Sequence, residues 1–257
     1  MIDLESKINE KRIMNVTQSR KERERAARES LILELAARLL ARDGFQNLNL
    51  DELAAAAEYS KGTLYLHFKT KEDLVLSVAT RALKHRADLL ELAAAFSGTT
   101  RERVRCMAVA CCQFMVTYPD FFPLELLLQS RSFWDRASEE RRSRHLVEYG
   151  RLFQIVSQVA LDARTSGDLP RSSPPEQVTL SLMAITMGGH CMLTQPGFQT
   201  LCPVKEPMAV LVQQAERLMN GWGWKPISNG RRQDALDRRI YKEVFPEAAW
   251  FAPLKRS

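Results

Sequence analysis

The stretch SKGTLYLHFKTK at residues 60–71 is rich in side chains that can contact a polyanion. A lysine can donate to guanine O6 and N7, a threonine can contact a base or a phosphate, and a glycine lets the backbone approach DNA closely. Tyrosine and histidine can donate to phosphate oxygens, and a lysine at a helix start adds its charge where free amides also favour an anion. Taken alone, the tyrosine is equally well explained by packing and the histidine by a solvated surface position. As a set, these residue types predict a surface that binds double-stranded DNA through Lys61, Gly62, Thr63, Tyr65, His67 and Lys71.

Capping residues predict the short helices that present this stretch. Asn49 precedes LDELAAAA and Glu52 lies three residues further on, which is the pattern of a capping box. Ser60 caps a helix that extends to about Phe68, and Thr70 begins another. Short helices joined by tight turns indicate a helix-turn-helix, in which the N-terminal residues of the second helix meet base edges in the major groove. Helical hairpins that bind only protein use the same capped helices, so the pattern by itself is moderately specific.

An apolar stripe predicts a preceding helix from Ala27 to Asp43, ended by Gly44. Three apolar side chains of the short helices are expected to pack on it. The predicted stripe is Leu31, Leu35, Ala36, Leu39 and Leu40, and the side chains that pack on it are Leu53, Leu64 and Phe68.

The segment FQNLNLDELAAAAEYSKGTLYLHFKTKEDLV (45–75) resembles the N-terminal DNA-binding domain of TetR-family transcriptional regulators, whose core reads much like SKGTLYxHFxxKExL. The resemblance is close over residues 28–90 and only architectural beyond them. It implies an all-helical dimer with a three-helix DNA-binding head and a fourth helix that links the head to a larger C-terminal domain. That domain would bind a small ligand and dimerise.

The resemblance also assigns roles within the head. Lys61 and Gly62 correspond to base-proximal residues, and the aromatic and basic residues that follow them correspond to phosphate contacts. The family usually carries Gly then Val where this chain has Glu58 and Tyr59, so Tyr59 becomes a candidate contact of its own. The full set expected to bind DNA is Asn49, Tyr59, Ser60, Lys61, Gly62, Thr63, Tyr65, His67 and Lys71.

The formal net charge of +6 is concentrated at the two ends of the chain. Between residues 11 and 28 only Glu22 and Glu24 oppose a run of basic side chains. Such an arm suits a polyanion, although a charge run alone is more often a solvated, partly disordered leader. The basic members of the run are Lys11, Arg12, Arg20, Lys21, Arg23, Arg25 and Arg28.

Helical periodicity dominates the rest of the chain, which predicts an all-α fold. A fourth helix is expected from Lys71 or Glu72 to about Phe96, and further helices at about 101–117, 120–130, 138–166, 175–194 and 204–221. The expected domains are a basic N-terminal arm at 1–26, a helix-turn-helix DNA-binding domain at 27–70, a linker helix with a ligand-binding and dimerisation domain at 71–224, and a basic C-terminal extension at 225–257.

Two features of the C-terminal half leave alternatives open. In the family that the chain resembles, the last two long helices form the dimer interface, where Gly188-Gly189 would permit either a close helix crossing or a kink. In the extension, Leu236, Ile240 and Val244 form one apolar stripe. That helix could dock on the body, cover the ligand site or stay loose.

A set of Met and aromatic residues suits an apolar pocket that adapts its shape, although at helical spacing such residues are more often plain core. Because the middle of the chain has no excess positive charge, a lipophilic or aromatic effector is favoured over a polyphosphate. The candidate ligand-binding residues are Met107, Cys111, Phe114, Met115, Tyr118, Phe122, Tyr149, Phe153, Met183 and Met187.

Other classes of function find little support in the sequence. Cys111-Cys112 could act as a thiol switch, but adjacent cysteines on a helix point to different faces and rarely bridge. No phosphate loop, nucleophile elbow or zinc-protease motif is present, so we expect no enzymatic activity, no cofactor and no metal site. No apolar run is long enough for a membrane span, so we expect a cytoplasmic protein.

The sequence therefore predicts a ligand-responsive transcriptional regulator. We expect a homodimer that represses by binding a near-palindromic DNA operator and is released by a small-molecule effector of unknown identity. A nonspecific architectural DNA-binding protein is the first alternative, and an all-helical enzyme that binds a small molecule is the second.

Overall fold

The structure is a computed structural model that describes residues 2–227 and 233–247, with side chains described from residue 20 onward. Every regular element in these residues is a helix, which confirms the predicted all-α class. In the described part of the chain, no helix is both long and apolar enough to cross a membrane. The helices are α1 (Ile2–Asn47), α2 (Leu50–Ala56), α3 (Lys61–His67), α4 (Lys71–Ala94), α5 (Thr100–Thr117), α6 (Phe121–Leu128), α7 (Arg131–Trp134), α8 (Glu139–Ser166), α9 (Pro175–Thr194), α10 (Phe198–Leu201), α11 (Pro207–Gly221) and α12 (Gln233–Glu243).

Helix α1 begins at Ile2, well before the predicted start at Ala27. The residues in between are mostly good helix formers without Gly or Pro, so the backbone of the basic arm is helical and not an irregular leader. The predicted end is confirmed, because Gly44 has φ 73° and ψ 173° and breaks the helical path. The side chains of Lys11 and Arg12 lie outside the described residues.

The buried stripe of α1 matches the predicted one in part, because Ala36 and Leu39 are buried and Leu35 and Leu40 are half-buried. Ile32, Ala36 and Leu39 are buried at i, i+4 and i+7, whereas Leu31 is exposed. Because leucine recurs along this segment, two neighbouring faces of α1 look equally apolar in sequence. The packing of the short helices determines which of the two faces is buried. As predicted, the short helices bury Leu53, Leu64 and Phe68.

The chain forms two compact units, which we call the head (Met1–Val78 and Asp135–Ser138) and the body (Ala79–Trp134 and Glu139–Ser257). The division lies inside α4 and not before it, because the first turns of α4 bury Leu74 and Val75 in the head.

The short segment Asp135–Ser138 belongs to the head although its neighbours in sequence belong to the body. The backbone N–H of Ser138 donates to the buried carboxylate of Asp73 at 2.6 Å, and Thr70 Oγ1 donates to the carbonyl of Arg136 at 3.4 Å. Thr70 also accepts from the backbone N–H of Asp73 at 2.9 Å, which confirms it as the cap of α4. The segment is thus fixed to the first turn of α4.

Helix α5 packs against α8, α9 and α11 and supplies much of the body core. Its start is a complete capping box formed by Thr99 and Glu102. At the crossing of α9 and α11, a Cβ on Gly189 would clash with Leu211 Cδ2, whereas a Cβ on Gly188 would have no neighbour within 4 Å. Gly189 therefore allows a close helix crossing within the chain.

Helix α12 docks on the body, which settles one of the alternatives left open for the extension. Asp237 accepts two hydrogen bonds from Arg105, at 2.6 and 2.8 Å, and Ile240 and Phe245 are fully buried. Residues 228–232 and 248–257 of the extension lie outside the described residues.

Candidate nucleic-acid interface and ligand cavity

The turn between α2 and α3 closes with a Schellman pattern. The backbone N–H of Tyr59 donates to the carbonyl of Ala54 at 2.9 Å, and that of Glu58 donates to Ala55 at 3.1 Å. Glu58 occupies the left-handed position with φ 57°, where glycine is preferred. The departure from Gly-Val in sequence therefore does not change the type of turn, but it places a strained residue at its centre.

We expect the substitution Glu58→Gly to stabilise the protein by about 0.5–1 kcal/mol, because relief of the left-handed strain exceeds the added entropy of glycine in the unfolded chain. Chemical denaturation monitored by circular dichroism measures the change. The matched control is Ala55→Gly in the interior of α2, which should destabilise by about 1 kcal/mol. A destabilised Glu58→Gly variant would show that the carboxylate has a role that outweighs the strain.

Asn49 and Ser60 act as helix caps. Asn49 Oδ1 accepts from the backbone N–H groups of Asp51 and Glu52 at 2.8 and 3.4 Å. The predicted reciprocal half of the capping box is wrong, because the Glu52 carboxylate accepts from Arg42 at 2.7 Å instead. Ser60 Oγ accepts from the backbone N–H of Thr63 at 3.1 Å. The two caps fix where α2 and α3 begin.

Lys61 stands exposed at the first position of α3. Its Nζ lies 2.8 Å from an Asp51 carboxylate oxygen, and this hydrogen-bonded pair raises the pKa of Lys61. Both partners are more than half exposed, so the pair is readily exchanged for another anion. A phosphate or a base acceptor can therefore compete with Asp51 for the ammonium group.

Neither the backbone conformation nor the packing around position 62 requires a glycine there. Its φ is not in the left-handed region, and a Cβ would meet only Ser60 Oγ at 3.7 Å, an ordinary contact. Glycine within a helix costs about 0.5–1 kcal/mol relative to alanine. The missing side chain leaves the exposed start of α3 open to a close approach from outside the chain.

The next residues of α3 divide between the surface and the interior. Tyr65 and Leu66 are exposed, while Thr63 is half-buried and its hydroxyl lies 2.9 Å from Ser60 Oγ. Tyr59, just before the helix, is half-buried. The exposed Leu66 was not among the predicted contacts.

His67 does not point outward, so its predicted place on the exposed face is wrong. Only 6% of its side chain is exposed, and Nδ1 lies 3.6 Å from a Glu29 carboxylate oxygen of α1. Its ring lies 6.2 Å from that of Phe68. As the last residue of α3, it is turned towards α1 by the same rotation that buries Leu64.

Lys71 and the arm provide further positive charge. Lys71 Nζ donates to the carbonyl of Gln46 at 3.1 Å and lies 4.9 Å from the centre of the Phe45 ring, so it is held against the end of α1. The basic side chains of α1 at residues 20–28 are exposed. Among them, Arg20 pairs with Glu24 at 2.9 Å. The head therefore carries exposed cations along α1 and a further lysine at the end of that helix.

A cavity of about 40 Å³ lies in the body between α4, α5, α8, α9 and α11. That volume holds a few water molecules, since a cavity needs roughly 10–15 Å³ for each water. The described lining is largely apolar, with flexible methionines on two sides. It consists of Arg86, Leu90, Val104, Met107, Ala108, Cys111, Leu152, Val156, Leu182, Met183, Thr186 and Ala215.

The structure brings Met107, Cys111 and Met183 of the predicted ligand-binding set to this cavity. Other members of the set form a buried aromatic cluster, in which the Phe114 ring stacks on Tyr118 at 5.1 Å and meets Phe122 edge-on at 6.1 Å. Of the remaining members, Met115 is buried, Tyr149 and Met187 are half-buried, and Phe153 is exposed.

Residues 32–78 match the sequence model of the family described as bacterial regulatory proteins, tetR family. This part of the head is therefore similar to that family. The match covers α2, α3 and the adjoining parts of α1 and α4, and so includes the caps and the exposed surface described above.

Two curated relatives share this TetR-type head. The chain is 39% identical over 51 residues to the uncharacterized HTH-type transcriptional regulator YuxN of Bacillus subtilis (strain 168), and 46% identical over 46 residues to YerO of the same organism. The alignments cover 20% and 18% of this chain but only 18% and 16% of the relatives. The chain therefore spans less than a fifth of the length of the curated relatives that it matches.

The fold extends beyond the TetR-type head. The crystal structure of the transcriptional regulator FadR from Bacillus subtilis in complex with stearoyl-CoA superposes with a TM-score of 0.60. The alignment covers 75% of this chain and 98% of FadR at 16% sequence identity. At that identity the comparison shows a shared fold.

Arg86 is the lining residue that sequence reasoning should have found. It lies three residues after Leu83 and four before Leu90, both buried, so it occupies the apolar stripe of α4. A charged residue on a buried stripe is a signal for a site. The apolar lining of α8 and α11 gave no such signal, because those residues look like ordinary core.

The buried thiols of Cys106 and Cys112 give no support to a redox switch. All cysteines are free, and burial raises the pKa of Cys106 to about 12. Burial also raises the pKa of Cys112, with a smaller effect from Cys111. Protonated thiols are poor nucleophiles, so these cysteines act as core side chains.

Proposed function

We propose that this chain is a transcriptional repressor that binds a near-palindromic operator as a homodimer and is released by a lipophilic or aromatic small molecule. One observation carries the DNA-binding part: Gly62 opens the exposed start of a capped helix without any internal need for glycine. In a helix-turn-helix, this is the part of the second helix that meets base edges. Lys61 and Tyr65 flank the opening with a cation and a hydroxyl donor.

Substitutions of Gly62 test DNA binding without destabilising the fold. We expect Gly62→Ala and Gly62→Leu to fold at least as stably as the unchanged protein, because both residues are better helix formers than glycine. We expect operator affinity to fall by about 10-fold for alanine and about 100-fold for leucine, because a side chain forced into a packed contact costs roughly 1–3 kcal/mol. Fluorescence anisotropy with DNA upstream of the chain's own and adjacent genes measures the loss.

A matched control lies in the body. Gly150 of α8 is also helical and a Cβ there would meet nothing within 4 Å, so Gly150→Ala should leave DNA affinity unchanged. Lys61→Ala should also weaken operator binding and reduce its salt dependence. If all variants bind scrambled DNA as tightly as the operator fragments, the architectural alternative replaces this proposal. Absence of binding to any DNA at low salt would refute both.

An exposed apolar stripe on α9 supports the homodimer. Leu180 and Met192 are 65% and 50% exposed, and the exposed Ala184 and Gly188 lie between them at i+4 and i+8. Small residues between large apolar ones allow two helices to approach closely. The stripe lies on one of the two helices that the family resemblance assigns to the interface.

We expect Leu180→Glu to convert the dimer to monomers, because a charge would be buried without a partner at the contact. Sedimentation velocity at micromolar concentration measures the change. Leu92→Glu, at an exposed leucine of α4, is the matched control and should stay dimeric. A Leu180→Glu variant that sediments like the unchanged protein would place the dimer contact elsewhere.

Helix α4 supports the coupling of ligand to DNA. It contributes Leu74 and Val75 to the head core and Arg86 and Leu90 to the cavity wall of the body. A ligand that enlarges the cavity can therefore displace this continuous helix. To shift the DNA-competent state from 99:1 to 1:99, the ligand must favour the other state by about 5.5 kcal/mol. The shared fold with a regulator crystallised with stearoyl-CoA supports a lipophilic effector.

A further inference from the structure

Arg86 is a buried cation that forms no ion pair in the described part of the chain. It is 5% exposed, and its Nε has no hydrogen-bond partner in the described part of the chain. The guanidinium stays protonated in proteins, so burial does not neutralise it. A buried charge is costly unless it is paired, and this cost persists in the ligand-free protein.

The surroundings compensate the charge only in part. The guanidinium carbon lies 5.3 Å from the centre of the Phe122 ring and 5.8 Å from that of Phe114, which gives cation–π attraction. Glu125 is the nearby buried carboxyl group, but it forms no ion pair with Arg86 in the described structure, and its Oε2 has no hydrogen-bond partner. Burial raises the pKa of Glu125, with the charge of Arg86 acting in the opposite direction. Cation–π contacts and a nearby carboxyl group without an ion pair thus compensate the charge of Arg86 only in part.

We propose that Arg86 binds the carboxylate of an amphiphilic effector whose apolar part lies between Met107 and Met183. This inference deepens the proposed function, on which it rests, by naming the chemistry of the ligand. Arg86 lines the cavity with an unpaired charge, and its planar fork of donors matches a carboxylate. A single cation would leave a phosphate dianion with excess negative charge in an apolar site, so a monoanion fits better.

The size of the cavity fits the head of such a ligand. About 40 Å³ accommodates a group of a few atoms, such as a carboxylate, but not a hydrocarbon chain. The chain must displace neighbouring side chains, and methionine is the apolar residue that changes shape most easily. Met107 on α5 and Met183 on α9 lie on the lining where this opening can occur.

Isothermal titration calorimetry without DNA tests the proposal with octanoate and its neutral isostere octanamide, and with benzoate and benzamide. We expect the unchanged protein to bind at least one carboxylate about 10-fold or more tightly than its amide, because hydrogen bonds to a charged group are lost in the amide. Arg86→Met keeps the length of the side chain and should abolish the difference. Its melting temperature without ligand should be equal or higher, which excludes unfolding as the cause.

Glu125→Gln should have the opposite effect. It removes a carboxyl group that competes with the ligand for Arg86, so carboxylate binding should become tighter. Equal affinities for carboxylate and amide, a preference that survives in Arg86→Met, or no binding of any carboxylate would each overturn the proposal. Release from the operator is measured separately by anisotropy. A carboxylate that binds through Arg86 but does not release DNA would refute the proposed function and leave the carboxylate site intact.

Discussion

Lowering the pH from 7 to 5 is expected to destabilise the body by about 4 kcal/mol, with most of the loss carried by two buried histidines. Burial lowers the pKa of His145 to about 4 and that of His190 to about 3, and the charge of Arg86 adds to the effect at His190. Both rings lie in the body, and neither can take up a proton at pH 5 without a large cost.

The contacts of the rings explain the cost. His190 is fully buried and its ring centre lies 4.7 Å from that of Phe122; among the described residues, its Nδ1 has no hydrogen-bond partner. His145 Nδ1 lies 3.0 Å from Thr80 Oγ1, and its ring lies 6.0 Å from that of Trp134. An imidazolium at either position would be a desolvated cation without a carboxylate partner among these contacts.

The sign follows from where the protons bind. In the unfolded chain both histidines take up a proton below a pKa of about 6.5, whereas the folded protein excludes it until about pH 4 or 3. Stability is therefore complete above about pH 7, and each histidine removes up to about 1.4 kcal/mol per pH unit below 6.5. The loss levels off only near the folded pKa values.

Urea denaturation at pH 7, 6 and 5, followed by tryptophan fluorescence, measures this loss. Trp134, Trp222 and Trp224 belong to the body, and Trp224 is fully buried. His190→Gln should halve the dependence on pH, even if it lowers stability at pH 7. A free energy of unfolding that stays constant between pH 7 and 5 would mean that both histidines are protonated in the folded protein.

Replacement of Arg101 by methionine is expected to cost about 3–5 kcal/mol, because it leaves buried partners without their counter-charge. The guanidinium donates to the Glu216 carboxylate at 2.7 and 3.2 Å, to the carbonyl of Trp224 at 2.6 Å and to Asn220 Oδ1 at 2.6 Å. Arg101 and Glu216 are both buried. Without Arg101, the cation that remains near the Glu216 carboxylate is Arg105, at 3.4 Å. The Arg105 guanidinium is already hydrogen-bonded to Asp237.

A double variant distinguishes the lost charge pair from lost packing. If the penalty is an uncompensated carboxylate, Arg101→Met with Glu216→Leu should recover much of the stability that Arg101→Met loses. Arg103→Met, two residues further along α5 and paired with the more exposed Asp162, is the matched control and should cost about 1 kcal/mol. Chemical denaturation of the four proteins gives the comparison. A loss in Arg101→Met no larger than in Arg103→Met would contradict the argument.

Local signals in the sequence predicted the elements well. Asn49, Ser60 and Thr70 cap the helices that they were expected to cap, and Gly44 ends the regular part of α1. The Pro and Gly pairs predicted the ends of the long body helices to within a few residues, because both residue types disfavour the helical conformation. Such signals act within one turn of chain and do not depend on tertiary contacts.

The direction of individual side chains could not be predicted in the same way. His67 and Tyr65 are two residues apart and chemically suited to the same contact, but only the packing of α3 on α1 shows that His67 is buried. The pairing of Lys61 with Asp51 likewise depends on how α2 and α3 meet. Phe153 and Phe114 looked equivalent in sequence, and their burial differs because different helices cover them.

The segment Asp135–Ser138 has a consequence for building hybrid regulators from this protein. Because this segment returns to the head, the chain passes from one unit to the other at three places along the sequence. A fragment that ends at Val78 would lack the partner that holds the buried Asp73 carboxylate. The head is therefore not a unit that can be exchanged at one junction, and a chimera must carry residues 135–138 from the same parent as the first 78 residues.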